Sequence, residues 1–232
     1  MTEQDWLECS DPKKLLYFLR DKGSDRKFRL FACACCRHIW RLLKDDRSRK
    51  AVEVAERFAE GEATRRELSR AGNDAHVVWN ELASAAAGAT DADMDAADAA
   101  CRTACYAKAA IGAANRASHC AAYALSYEGQ QAAEQESQCS LLRDIFGNPF
   151  RPVTIDPSWL TWHDGLLVSM AQRMYDSRDF SDMPVLADAL EESGCQDQDI
   201  LAHCRSGGEH VRGCWLVDLF FITDRKSLEN KS

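Results

Sequence analysis

ASAAAGATDADMDAADAACRTACYAKAAIGAANRASHCAAYALSYEGQQAA, residues 83–133, is a compositionally biased segment at the middle of the chain. Twenty-two of its 51 residues are alanine. Alanine loses no side-chain entropy on entering a helix and has the highest helix propensity, so the segment predicts a helical pair or long hairpin. Thr90-Asp91 is its natural start and Gly129 its natural break. Small side chains let helices approach closely but bury little area each, so this part of the core is held weakly per residue.

Helix signals continue toward the N-terminus. Asp11-Pro12 is a cap followed by proline at the first helical position, predicting a helix over 13–22 that stops at Gly23. Ser24 or Asp25 caps a helix running to about Leu43, and Asp45 or Asp46 opens another that ends at Gly61. Thr64 and Glu67 have the spacing of a capping box, and that helix runs to about Ala87.

Toward the C-terminus the composition shifts at Phe146-Gly-Asn-Pro-Phe-Arg-Pro152. Three of the five prolines lie between 149 and 157, which marks a joint. Trp159 and Trp162 follow and are expected to fold back on a helix surface. Helices are then expected at about 164–177, 184–193, 197–205 and 209–222. Val153–Ile155 is the one short β-like run, and no alternating strand pattern with hairpin turns occurs. The expected fold is all-α: a multi-helix bundle or array with an Ala-rich central helical hairpin and a short Pro-rich joint. Its expected parts are an N-terminal helical region over 1–145, a Pro/Trp-rich joint over 146–162, a C-terminal helical subdomain over 163–225, and a disordered tail over 226–232.

The chain has 232 residues, 46% hydrophobic, and a net charge of −8. That composition excludes collagen-like and wholly disordered chains, and argues against bulk attraction to nucleic acid or anionic membrane. No secretory signal and no uncharged run long enough to span a bilayer is visible, so a soluble cytoplasmic protein is expected. Most of the eleven cysteines then read as reduced thiols packed as small apolar residues. The charge is uneven. Residues 1–50 carry 13 Lys and Arg against 8 Asp and Glu, whereas the remainder is acidic.

Four groups of residues could carry chemistry. In Cys33-Ala-Cys35-Cys36, helical geometry turns Cys33 and Cys35 about 200° apart, so the two cannot share one ion. On the same helix Arg26, Lys27, Arg37, Arg41 and Lys44 form a basic stripe, able to meet phosphate, an acidic partner or acidic parts of this chain. Cys101 and Cys105 lie one turn apart, with His119-Cys120 beyond. The densest group is C-terminal: Cys195, His203, Cys204, His210 and Cys214, with Asp218 beyond. On a helix over 209–222, His210, Cys214 and Asp218 would share one face. With His203 and Cys204 they could supply the four convergent ligands of a tetrahedral zinc site, although no Cys-x-x-Cys knuckle is present. The apolar residues distributed all round that helix argue instead that it is buried.

No phosphate loop, dinucleotide fingerprint, nucleophile elbow or His-Glu-x-x-His motif occurs. The expected function is therefore a non-enzymatic, all-α protein-interaction module. One alternative is a small metal-binding (zinc-type) or thiol-based sensing protein using the C-terminal Cys/His cluster. Another is a nucleic-acid-associated protein acting through the basic helix over 26–44.

Three blocks carry a resemblance. They are Trp6–Cys9 with Ser24–Trp40; Leu142–Pro152 with Trp159 and Trp162; and Pro184–Glu191 with Gly194-Cys195, His203–Arg205 and His210-Val-Arg-Gly-Cys-Trp215. In these blocks the chain resembles a highly paralogous family of planctomycete (Gemmata-like) proteins with no established function. The resemblance implies a bacterial source and a cytoplasmic setting, and brings no activity, cofactor or catalytic residue with it.

Overall fold

A computed structural model describes residues 1–84, 90–105 and 110–221, the side chain of Cys105 excepted. Among the described residues all regular structure is helical: thirteen α-helices and two short 3-10 turns, with no strand. The fold is all-α, as the capping signals and alanine content predict. No helix among these residues is long and apolar enough to cross a membrane. The expected helix end at Ala87, position 222 and the expected tail over 226–232 lie outside the described residues.

The chain divides into two compact units, Met1–Leu142 and Arg143–Ser232. The division falls shortly before the Pro-rich segment, in the last turns of the helix that leads into it.

Unit 1 begins with α1 (Glu3–Glu8), a helix the sequence reading did not anticipate. It is set by a capping box in which Thr2 and Asp5 serve each other's backbone amides. α2 (Pro12–Leu19) starts at Asp11, whose side chain accepts from the Lys13 amide. α3 (Asp25–His38) is capped by Ser24. It ends earlier than the expected Leu43, giving way to a 3-10 turn over Trp40–Leu42. α4 (Asp46–Ala59) is capped by Asp45. α5 (Arg65–Ser84) opens on the expected Thr64–Glu67 box, with Thr64 N–H donating to Glu67 Oε2 at 2.7 Å. α6 (Asp91–Cys105) and α7 (Ala110–Ser126) are the alanine-rich pair, and α8 (Gln131–Phe146) follows Gly129.

The α6–α7 pair packs on α3, with α4 and α5 against α6. Alanine makes this close packing possible: Ala113, Ala114, Ala117, Ala121 and Ala124 of α7 are all fully buried. Cys33, Cys35 and Cys36 of α3 are buried in the same core. The fully buried Arg29 has its charge directed at a backbone carbonyl, donating to Thr103 O at 3.0 Å.

Unit 2 contains α9 (Pro157–Thr161), a 3-10 turn over Trp162–Asp164, α10 (Leu166–Ser177), α11 (Met183–Glu192), α12 (Gln198–Arg205) and α13 (Trp215–Leu219). Trp159 is buried in the core of this unit and Trp162 packs against it. The expected helix over 209–222 is corrected by the structure. Residues 206–214 carry no helix, and α13 begins only at Trp215. The cause is backbone geometry: Gly213 sits at φ +93°, where a right-handed helix cannot pass.

Candidate metal centre

Four side chains of unit 2 converge. Asp144 lies in the last turn of α8, His203 on α12, His210 in the loop over 206–214, and Cys214 caps the N-terminus of α13. One ligand atom from each lies within 4.8 Å of every other. His203 Nε2 stands 3.2 Å from Cys214 Sγ and 3.5 Å from Asp144 Oδ1. Ligand bonds of about 2.0–2.3 Å around a tetrahedral ion put neighbouring donors about 3.3–3.8 Å apart. Both distances are therefore close to those of a four-coordinate site. His210 Nδ1 lies closer, 2.6 Å from Asp144 Oδ1, as a hydrogen bond whose lone pairs an ion would take over.

Asp144 and Cys214 are buried and the two histidines partly buried. Cys214 is fully enclosed and the Asp144 side chain is 4% exposed. His210 is 6% exposed and His203, the most open, 16%. Burial pushes the His203 imidazole down to about 4, with the neighbouring His210 acting in the same direction and Asp144 against it. His203 is thus neutral at physiological pH, the form that ligates metals. Burial raises the Cys214 thiol well above its ordinary range, and the Asp144 charge adds to this. The backbone amides of Val217 and Leu216 act the other way and favour the thiolate. A bound cation would tip that balance to the thiolate outright.

The loop is built to present its ligands. Val211 N–H donates to Asp144 Oδ2 at 3.0 Å, fixing the carboxylate's second oxygen. Arg212 reaches away from the cluster, donates to the carbonyls of Tyr175 and Asp176 at the end of α10, and lies over the Tyr175 ring. Gly213 supplies the left-handed turn into Cys214. Trp215 then packs against His203, ring centroids 4.9 Å apart. Each residue of His210-Val-Arg-Gly-Cys-Trp215 has a defined task.

The arrangement does not suit nucleophilic catalysis. A Cys–His–Asp relay needs its carboxylate on the imidazole nitrogen opposite the sulfur. Here Asp144 and Cys214 both face Nε2 of His203. The sulfur is also fully buried, with its thiolate disfavoured.

Of the five C-terminal residues singled out in sequence, the structure brings together His203, His210 and Cys214. Cys195 and Cys204 are core residues of unit 2 and lie outside the cluster. Asp218, expected on a shared helix face with His210 and Cys214, is buried on α13 and also lies outside it. Sequence reasoning missed Asp144. One signal was available: an acid in the last turn of a helix opposes the macrodipole and calls for a nearby partner.

The other groups resolve differently. Cys101 Sγ lies 3.8 Å from both Gly72 O and His76 Nδ1, and Cys120 Sγ donates to Asp98 at 3.2 Å. The expected Cys101–Cys105 pairing falls on a side chain outside the described residues. In the basic stripe, Arg26 pairs with Glu60 at 3.0 Å and Lys44 with Asp93 at 2.8 Å. Arg37 is bidentate on Glu56, and Arg41 pairs with Glu128. Lys27 sits in the first turn of α3, its amide received by Ser24. Acidic residues of unit 1 thus pair with Arg26, Arg37, Arg41 and Lys44 of the stripe.

Comparison with models of protein families, with curated proteins and with solved structures finds no match to this chain. The class is accordingly defined by the molecule itself: an all-α protein with a largely enclosed Asp/His/His/Cys cluster in its C-terminal unit.

Proposed function

We propose that this protein binds one zinc-type ion through Asp144, His203, His210 and Cys214, and that the ion serves a structural role without catalysis. The observation that carries the reading is the convergence of four donor side chains, from α8, α12 and the loop over 206–214, on one largely enclosed point. Two imidazoles, one thiolate and one carboxylate form a borderline donor set. The thiolate disfavours magnesium and calcium, and the carboxylate disfavours copper(I), which leaves zinc and its neighbours. Four protein donors in a largely enclosed place make a closed site, the form that structural zinc takes. The absence of enzyme motifs and the matched charges of the basic stripe support the same non-enzymatic reading.

The test is a chelation and return experiment on purified protein. Removal of metal at neutral pH should lower the melting temperature, and one equivalent of zinc, but not magnesium, should restore it. If neither treatment moves the melting temperature, the reading fails.

A further inference from the structure

The four donors do not by themselves fix how many ligands an ion would take. Structural zinc sites are closed by their protein donors, whereas catalytic sites keep a position open to water. Among the four donors His203 has the most open side chain, 16% exposed against 6% for His210 and 4% for Asp144. Trp215 leans on that imidazole, its ring 4.9 Å from the His203 ring and inclined by 50°. It reaches this place because of a gap on the far side. Gly147 is buried, sits at φ +69°, and would place a Cβ 3.0 Å from Trp215 Cγ. Gly147 stands three residues after Asp144, so the indole lies between the chain leaving one donor and the ring of another. A cavity of about 360 Å³ between Phe180, Met183, Arg205 and Gly207 is also lined by His210.

Resting on the metal reading above, we propose that Trp215, seated in the gap left by Gly147, sets the coordination number of the site. The indole holds His203 in place and closes the position a water would occupy, keeping the ion four-coordinate. Trp215 is a positioning residue: none of its atoms is a ligand. Two of its neighbours are required for this, Gly147 for space and Cys214 for direction.

Cobalt(II) is the probe, because four-coordinate cobalt absorbs visible light far more strongly than five- or six-coordinate cobalt, and thiolate ligation adds a separate charge-transfer band. The protein is compared with Trp215→Phe, Trp215→Ala and Gly147→Ala, all four donors being kept. The parent and Trp215→Phe should show strong visible bands. Trp215→Ala should keep the charge-transfer band while its visible bands fall several-fold as water joins the ion. Gly147→Ala, which displaces the ring without removing it, should show the same loss and serves if the truncated variant does not fold. Unchanged visible bands in a variant that retains the charge-transfer band overturn the proposal. Absence of the charge-transfer band from the parent protein overturns the metal reading itself, and this inference with it.

Discussion

Asp98 is buried in α6, yet its carboxylate takes Arg102 Nε at 2.8 Å, Arg116 at 3.0 Å and the Cys120 thiol at 3.2 Å. Burial opposes its charge, but the hydrogen bonds from Arg102 and Cys120 and the charges of both arginines prevail. They hold the carboxyl below its ordinary 3.8. A carboxylate depressed on folding contributes stability above its unfolded value, and that contribution is lost as the pH falls through the folded one. Asp98→Asn should therefore cost about 2 kcal/mol at neutral pH, with the gap to the parent closing below about pH 4. Urea unfolding across that range measures it, and a pH-independent gap contradicts the assignment. Gly213→Ala acts on the candidate site instead. At φ +93° a side chain is strained by about 1–3 kcal/mol, and the turn that presents Cys214 would shift. Reduced metal uptake should accompany the lost stability; full uptake would show that the turn does not position the thiol. At this scale His203, His210 and Cys214 were legible as soft donors close in sequence. Asp144 was not, because its partners lie about sixty residues or more away and no local pattern reports a contact of that span.

Elements with strong local signals were legible almost to the residue. The caps at Asp11, Ser24 and Asp45 and the box at Thr64 start helices where they should, since a cap acts within one turn. The alanine pair was legible from propensity alone. Its packing makes a prediction of its own: Ala117 faces the core of unit 1 with no exposed area. Ala117→Leu should overpack that core and destabilise it by about 1–3 kcal/mol. A thermal or urea midpoint that stays unchanged would mean that α7 has room its alanines do not use. Residues 209–214 read as helix in the sequence because the apolar residues that follow would lie all round a helix, the pattern of a buried one. Gly213 was the informative residue, and a lone glycine in an apolar run is a weak signal until its φ is known.

The whole chain resolves into two units, and all four candidate ligands lie in the second. A ligand that binds only the folded form stabilises by about 4 kcal/mol at a thousandfold excess over its Kd. Removing the ion should lower amide protection in the described residues from 143 to 221 and leave 1–84 unchanged, as hydrogen exchange would show. A uniform loss along the chain would contradict a local metal role. The all-α class and the alanine hairpin were legible from composition and caps, whereas the cluster depends on tertiary placement that no local pattern encodes. Metal binding is read directly from the metal content of freshly purified, untagged protein, beside Cys214→Ser and His203→Ala. About one equivalent of zinc-type ion per chain is expected in the parent, with loss of it in both variants. Less than about a tenth of an equivalent in folded parent protein, unchanged after incubation with zinc, would contradict metal binding.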